Sequence, residues 1–259
     1  MYPQNLHKIR TSFSRQADRF EASDMSFSKE SYLRHIVELL PLQPSDSILE
    51  VASGTCVCAR ALAPYVAQVT CLDATAEMLE IGRAEAARQG LSNLSFLEGY
   101  AEQLPFADES FDLVITRLSF HHFTSVELPF REMHRVLKRG GKLVIIDMEA
   151  AEEALRARED QIETLRDFSH VKNLSKEEFL ALYARHNCEL LYSESTAIPV
   201  SLTAWMALTQ TPVSVQKEIR RLMEEELAGQ AKTGFSPYLI ENEIRFDQRW
   251  LLLIGQKQG

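Results

Sequence analysis

Apolar and polar positions follow two regimes along this chain. From about residue 45 to residue 147, short apolar runs alternate with amphipathic stretches. SILEV (Ser47–Val51), QVTCLD (Gln68–Asp73), LSFLE (Leu94–Glu98) and FDLVITR (Phe111–Arg117) read as strands, with KLVIID at 142–147 as a fifth. Residues 55–63 predict a helix stopped by Pro64, and residues 76–89 a second, with Thr75 as its cap and Gly90 just past its end. Residues 126–137 predict an amphipathic third, followed by a basic turn, Lys138-Arg139-Gly140-Gly141. Strands alternating with helices at this spacing mean βαβ units, and so an α/β protein whose mostly parallel sheet is covered on both faces.

The flanks differ. Residues 5–41 predict one or two helices ahead of the first strand. Residues 150–167 are highly charged and helical, and residues 175–186 form a helix with a capping box, Ser175 and Glu178. Residues 189–197 and 244–256 predict two late strands. The segment between them, 202–229, reads as helical cover broken at Thr211-Pro212. The division expected is a helical cap (1–44), a nucleotide-binding-type core (45–150), and a part (151–259) that completes the sheet and adds a helical insertion on the substrate side.

Composition narrows the classes. The formal net charge of −9 opposes a general nucleic-acid surface, which needs clustered Lys and Arg. No run of 18 or more apolar residues predicts a membrane span, and the polar N-terminus lacks the apolar core of a signal peptide. The four cysteines are unevenly spaced, three of them in predicted core elements, which suggests reduced thiols in a cytoplasmic protein.

Candidate chemistry collects at the first strand–helix turn, ILEVASGTC. A ligand of an open α/β sheet binds outside the carboxyl ends of the strands near this turn. Two carboxylates mark that edge: Glu50 at the end of the first strand, and Asp73 at the end of the second, 19 positions after Gly54. A carboxylate so placed can accept hydrogen bonds from ribose hydroxyls. A dinucleotide fingerprint is poorly matched by Ala52, Gly54 and Val57, and no ATP-type phosphate loop is present. A carboxylate at Glu50 would repel a pyrophosphate but suits a cationic or amine-bearing ligand.

ILEVASGTC, VTCLDAT, FLEGYAEQLPFADESFDLVITRLSFHHF and EMHRVLKRGGKLVIIDM, in that order, resemble the class I S-adenosylmethionine-dependent methyltransferases. The likeness is greatest to the small-molecule branch that includes the ubiquinone/menaquinone C-methyltransferases, and covers about residues 13 to 148. The resemblance implies a Rossmann-like, mostly parallel seven-stranded sheet with N- and C-terminal helical cover. It implies that Glu50, Ala52, Ser53, Gly54 and Thr55 hold the methionine moiety of S-adenosylmethionine, and that Asp73 holds the ribose. Met78 or Ala74 would lie against the adenine, with Gly99, Tyr100, Ala101 and Glu102 at its edge. Arg117 and Leu118 would lie near the sulfonium. His121 or His122 would face the substrate as a base, and Arg117 could hold a substrate oxyanion. The product would be S-adenosylhomocysteine. The aromatics Phe20, Phe27, Trp205, Phe235 and Tyr238 suggest a small, partly apolar methyl acceptor.

The turn departs from the family's glycine-rich pattern at Ala52 and Cys56, and the adenine edge departs at Tyr100. Ala52 is tolerable unless its φ is positive, and Cys56 is expected to start the helix with ordinary helical dihedrals. Plainer roles stand beside the functional ones. Glu50 could be a solvated strand end, and the cysteines buried thiols. The histidines could pack on Phe120 and Phe123, with at most one of them pointing into the cleft. Trp205, Met206 and Leu208 fit a core or a lid equally. The competing functions are a binding protein with a degenerate cofactor turn and a nicotinamide-dependent oxidoreductase.

Overall fold

The structure, a computed structural model, describes residues 5–20 and 30–259. Phe27, expected in the front cover, lies outside the described residues. Helices α1 (Leu6–Gln16) and α2 (Glu30–Leu39) precede the sheet. The alternating region follows as β1 (Ser47–Val51), α3 (Val57–Leu62), β2 (Gln68–Asp73), α4 (Ala76–Arg88), β3 (Leu94–Glu98), β4 (Phe111–Arg117), α5 (Glu127–Val136) and β5 (Leu137–Met148). The remainder comprises α6 (Glu153–Arg166), α7 (Lys176–Arg185), β6 (Cys188–Ser201), α8 (Leu202–Leu208), α9 (Val213–Leu227), β7 (Tyr238–Ile240) and β8 (Glu243–Lys257).

Seven strands run in the order β3-β2-β1-β4-β5-β8-β6, and the short β7 pairs with β8 as an eighth. The first five are parallel, while β8 is antiparallel to both β5 and β6. Strand order reverses at β1, which lies between β2 and β4. That reversal opens a crevice beyond the carboxyl ends of β1 and β4.

Period-two alternation divides the sheet residues between two cores. Leu49, Val51, Leu72 and Val114 pack with α5 and α7 on one face. Ile48, Val69, Cys71 and Ile115 pack with α2, α3 and α4 on the other. A third cluster joins α6, α8, α9 and the start of β8 through Ile162, Trp205, Met223 and Phe246. This cluster holds the late helices beside the crevice.

Local signals explain most element ends. The capping box at α7 forms as expected: Glu178 N donates to Ser175 Oγ and Ser175 N to Glu178 Oε2. Gly90, at φ +70°, ends α4. Thr75 occupies the N-cap of α4 in extended conformation but makes no side-chain cap bond. The expected basic turn at 138–141 is an irregularity within β5. Pairing with β4 jumps from Phe111↔Leu137 to Leu113↔Lys142, and Gly140 stands at φ +74°.

Candidate functional site

A cleft lies in the crevice, with about 880 Å³ of space between its walls when the part open to solvent is counted. The loop after β1 forms its floor. Ser53 N donates to Leu72 O, and Gly54 N donates 2.8 Å to Asp73 Oδ2. The other oxygen of Asp73 accepts Thr75 N at 2.8 Å. Asp73 therefore staples the turn after β1 to the turn after β2, and each oxygen keeps a lone pair for a further donor. Burial raises the pKa of this carboxyl against those backbone donors.

Both departures from the glycine pattern sit in left-handed backbone. Ala52 has φ +53° and Cys56 has φ +60°. The expected helical dihedrals at Cys56 are not found: Cys56 is the N-cap of α3, and the helix begins at Val57. Hydrogen bonds hold the loop against this strain, among them Cys56 N to Ser53 O at 2.8 Å. Leu118, after β4, lines the cleft in left-handed backbone too, with φ +54°.

Glu50 is 3% exposed, so it is no solvated strand end. Alternation turns it toward α3, where its Oε2 accepts Ala59 N at 2.8 Å. Burial raises its pKa from 4.5 to about 7, against the lowering effect of that bond and of Arg117. The four cysteines Cys56, Cys58, Cys71 and Cys188 are free and buried.

Of the residues expected to hold a cofactor, Glu50, Ala52, Ser53, Gly54, Thr55, Asp73, Ala74, Gly99, Tyr100, Ala101, Glu102, Arg117 and Leu118 all line this one cleft. Met78 does not; it is fully buried, and its Cε would lie 3.8 Å from a Cβ built on Gly54. Helix α1 closes the opposite wall with Leu6, Ile9 and Phe13. Arg10 fastens that helix to the rim, donating from Nε to Ala74 O at 2.8 Å and pairing with Glu98. Sequence reasoning gave α1 no part in this wall.

A second cavity, of about 730 Å³, adjoins the first and shares Phe13, Phe20, Leu118 and His122 with it. Met148, Ala204, Trp205, Leu208 and Trp250 give it an apolar side, and Gln16, Arg166, Asp167 and Gln248 a polar one. The indole N–H of Trp205 has no acceptor among the described residues, and Arg166 lies over the ring at 4.6 Å. Phe235 packs instead in the third core, and Tyr238 bonds to Asp247.

Only His122 lines the first cleft, as expected of adjacent side chains, while both histidines line the second cavity. They lie in a single 3-10 turn, Phe120–His122, with ring centroids 4.2 Å apart. His121 faces the second cavity, and His122 borders both. His121 Nδ1 lies 2.5 Å from Asp147 Oδ1. His122 Nδ1 lies 3.1 Å from Ser169 Oγ, which donates to Asp167 at 2.6 Å. Burial pushes the His122 pKa down to about 3, so this ring is neutral at neutral pH. Sequence reasoning missed Asp147. Its signal was present, since it is a third carboxylate ending an apolar strand, as Glu50 and Asp73 do.

Comparison with known proteins agrees with this architecture. A methyltransferase domain model matches residues 49–145. YcgJ of Bacillus subtilis (strain 168), described as an uncharacterized methyltransferase, is 30% identical over 251 residues, 96% of this chain and 98% of its own. The crystal structure of YcgJ superposes with a TM-score of 0.82 at 29% identity, covering 89% of this chain and 100% of that one. UbiE of Rubrivivax gelatinosus, a ubiquinone/menaquinone biosynthesis C-methyltransferase, is 33% identical over 143 residues, 54% of this chain and 55% of its own. Fold and relatives together define a class I, Rossmann-like methyltransferase. The chain belongs to the methyltransferase family, and no helix among its described residues is long and apolar enough to cross a membrane.

Proposed function

We propose that the first cleft binds S-adenosylmethionine and that the second receives a small, partly apolar methyl acceptor. The observation that carries this reading is the turn after β1, stapled by Asp73 and left with an unsatisfied donor. Thr55 Oγ1 is buried at this cleft and has no hydrogen-bond partner among the described residues. It fits a carboxylate or amine of the methionine end. Gly54 leaves open the space beside Phe20 that a Cβ would enter at 3.7 Å. The remaining lone pairs of Asp73 suit vicinal ribose hydroxyls, and Glu50 with Arg117 lies at the methionine end. Ala74 and Tyr100 bracket the adenine position.

When bound, the cofactor supplies a methyl group on a positively charged sulfur, transferred by in-line displacement. The protein positions the two molecules and excludes water. Residues shared by both cavities, Phe13, Phe20, Leu118 and His122, mark where acceptor and sulfonium would meet. Arg117 lines the cofactor cleft at that end. The mixed lining of the second cavity supports a partly apolar acceptor, and the relative named for quinone biosynthesis supports a small one. We infer a functional division into a cap (1–44), a cofactor core (45–150) and an acceptor-side part (151–259), in a protein without a nucleic-acid partner.

The reading is tested by calorimetric titration with S-adenosylmethionine and S-adenosylhomocysteine, after a check for copurified cofactor. Micromolar binding is expected. Asp73→Ala, which removes the staple and the ribose partner, should weaken it about ten- to a hundredfold. A folded, cofactor-free protein that binds neither compound would refute the reading and favour a binding protein with a degenerate turn.

A further inference from the structure

Three elements from the late part of the chain line the second cavity: the end of α6 with Arg166, α8 with Trp205, and β8 with Gln248. The third core cluster ties these elements together. The Arg166 side chain is 9% exposed, and its guanidinium carbon lies over the Trp205 ring, 4.6 Å from the centroid. Glu163, three residues earlier on the same helix and buried, occupies two of its donors. Nε at 3.2 Å and Nη2 at 3.0 Å both reach Glu163 Oε2. Nη1 has no hydrogen-bond partner among the described residues.

Two more donors at this wall are poorly served. The buried indole N–H of Trp205 has no acceptor among the described residues. Gln248 Nε2 meets only the thioether sulfur of Met148, at 3.3 Å, which is a weak acceptor. The acceptors close by are already engaged. Asp167 accepts from Ser12 Oγ, from Gln16 Nε2, and from both the amide and the hydroxyl of Ser169. Gln248 Oε1 accepts the Trp250 indole N–H at 3.4 Å. A buried donor without an acceptor costs free energy that an oxygen of a bound molecule can return.

Charge decides which kind of oxygen fits. Arg166 is paired with Glu163 and is followed directly by Asp167, so the wall carries no surplus positive charge. A carboxylate on the bound molecule would be desolvated beside two anions already there. An ammonium group would meet the guanidinium and donors that need acceptors. A neutral oxygen costs far less to desolvate than an ion and offers two lone pairs to these donors.

We propose that Arg166 is a specificity-determining residue of this site, and that the methyl acceptor is an uncharged, largely apolar molecule whose carbonyl-type oxygen accepts from Arg166 Nη1. This rests on the reading of the second cavity as the acceptor site of a methyltransferase. Glu163 and the Trp205 face hold the guanidinium plane, which leaves Nη1 as the donor on offer. Met148, Leu208 and Trp250 take the apolar body of the molecule.

Three compounds test this against the unmodified protein, with and without bound S-adenosylhomocysteine. They are 2-acetylnaphthalene, 2-isopropenylnaphthalene, which has the same shape with CH2 in place of the oxygen, and 2-naphthoate, which has a carboxylate there. By calorimetry the ketone should bind about tenfold more tightly than either of the others. Equal affinities of ketone and hydrocarbon, tighter binding of naphthoate, or binding of none of the three overturns the proposal. The double variant Arg166→Met with Glu163→Gln removes both charges, so that neither is left buried alone. It should bind ketone and hydrocarbon equally, and a preference that survives in it overturns the role of Arg166. If that variant does not fold, Arg166→Lys, which keeps a charge for Glu163 but lacks the planar fork, should lose most of the preference, and full retention overturns the same role. Failure of S-adenosylhomocysteine to bind would sink the cofactor reading, while the comparison of ketone with hydrocarbon on the cofactor-free protein would still decide the role of this wall.

Discussion

Cys56 Sγ occupies the space that Gly82 leaves by having no side chain. A Cβ built on Gly82 would lie 2.7 Å from that sulfur and 2.8 Å from the backbone oxygen of Thr55. Helix α4 thus meets the turn after β1 at its one glycine, and the thiol fills the contact. Gly82→Ala should cost about 1–3 kcal/mol, read as a lower thermal midpoint, because a packed backbone contact cannot absorb a methyl group. Cys56→Gly in that background should restore only part of the loss, since the Thr55 oxygen remains in the way. A Gly82→Ala protein that melts at the parent temperature would show that α4 does not press on the turn.

Ala52 makes the complementary prediction. A residue with a Cβ at φ +53° has a steric cost of about 1–2 kcal/mol, partly offset because alanine orders less chain entropy than glycine on folding. Ala52→Gly should therefore be neutral or stabilising by up to about 1 kcal/mol, whereas Ala52→Val should destabilise. Chemical denaturation of the two variants checks the order. A stabilising valine would mean that the loop does not hold the left-handed conformation.

These two positions also show what a sequence reveals and what it withholds. The boundaries of β1, β2 and β4 were legible because each is a buried apolar run bounded by turn residues, and those of the half-exposed edge strand β3 because turn residues bound it too. The capping box at Ser175 and Glu178 was legible because it is local. The handedness of the backbone at Ala52 was not, because the loop is held by bonds that Ser53 N and Gly54 N donate to Leu72 and Asp73 on another strand. The bulge at 138–141 has turn chemistry, yet lies inside a strand because both flanks pair with β4. Glu50 and Asp73 were found by their places at strand ends. The link from Asp147 to His121 spans 26 residues and depends on strand β5 lying beside β4.

Glu50 should make the cofactor-free protein less stable as pH rises. Below about pH 4.5 its carboxyl is neutral whether the chain is folded or not. Between there and about pH 7 the unfolded chain releases the proton while the folded one keeps it. Folding stability therefore falls across that window, by about 3 kcal/mol in total. Glu50→Gln keeps an acceptor for Ala59 N and removes the titration. At pH 8 it should melt higher than the parent while binding S-adenosylmethionine more weakly, because the carboxylate that meets the ligand ammonium is lost. Melting curves at pH 5 and pH 8, with one titration at pH 8, read both effects. A variant that is less stable at pH 8 would contradict the buried, proton-holding carboxyl.

His122 acts in the opposite direction. Its folded pKa of about 3 lies below the usual 6.5, so the unfolded chain takes up a proton first as pH falls. Stability present above about pH 6.5 is lost toward pH 3, by about 5 kcal/mol in total. His122→Asn, whose amide can still donate to Ser169, should flatten the stability–pH curve below about pH 4.5, where Glu50 no longer titrates. Between about pH 4.5 and pH 6.5 the two residues oppose each other, so the parent curve should be flatter there than the curve of either variant. A His122→Asn curve parallel to the parent from pH 4 to pH 7 would show that this ring carries a proton in the folded state.

The two cavities predict that cofactor and acceptor binding can be separated by one substitution. Ala204, on α8, lines the second cavity but not the first. Its methyl is small and only partly buried, so a larger side chain can enter the cavity without displacing the core formed by Trp205 and Phe246. Ala204→Phe should leave the S-adenosylhomocysteine Kd within about twofold of the parent and the thermal midpoint nearly unchanged. It should abolish binding of 2-naphthol, a small aromatic probe of the second cavity, to the S-adenosylhomocysteine complex, because the ring would occupy the space the acceptor needs. The contrast is with Asp73→Ala, which should weaken the cofactor first. If Ala204→Phe weakened cofactor and naphthol equally, the second cavity would be part of the cofactor site and the acceptor would have to enter elsewhere.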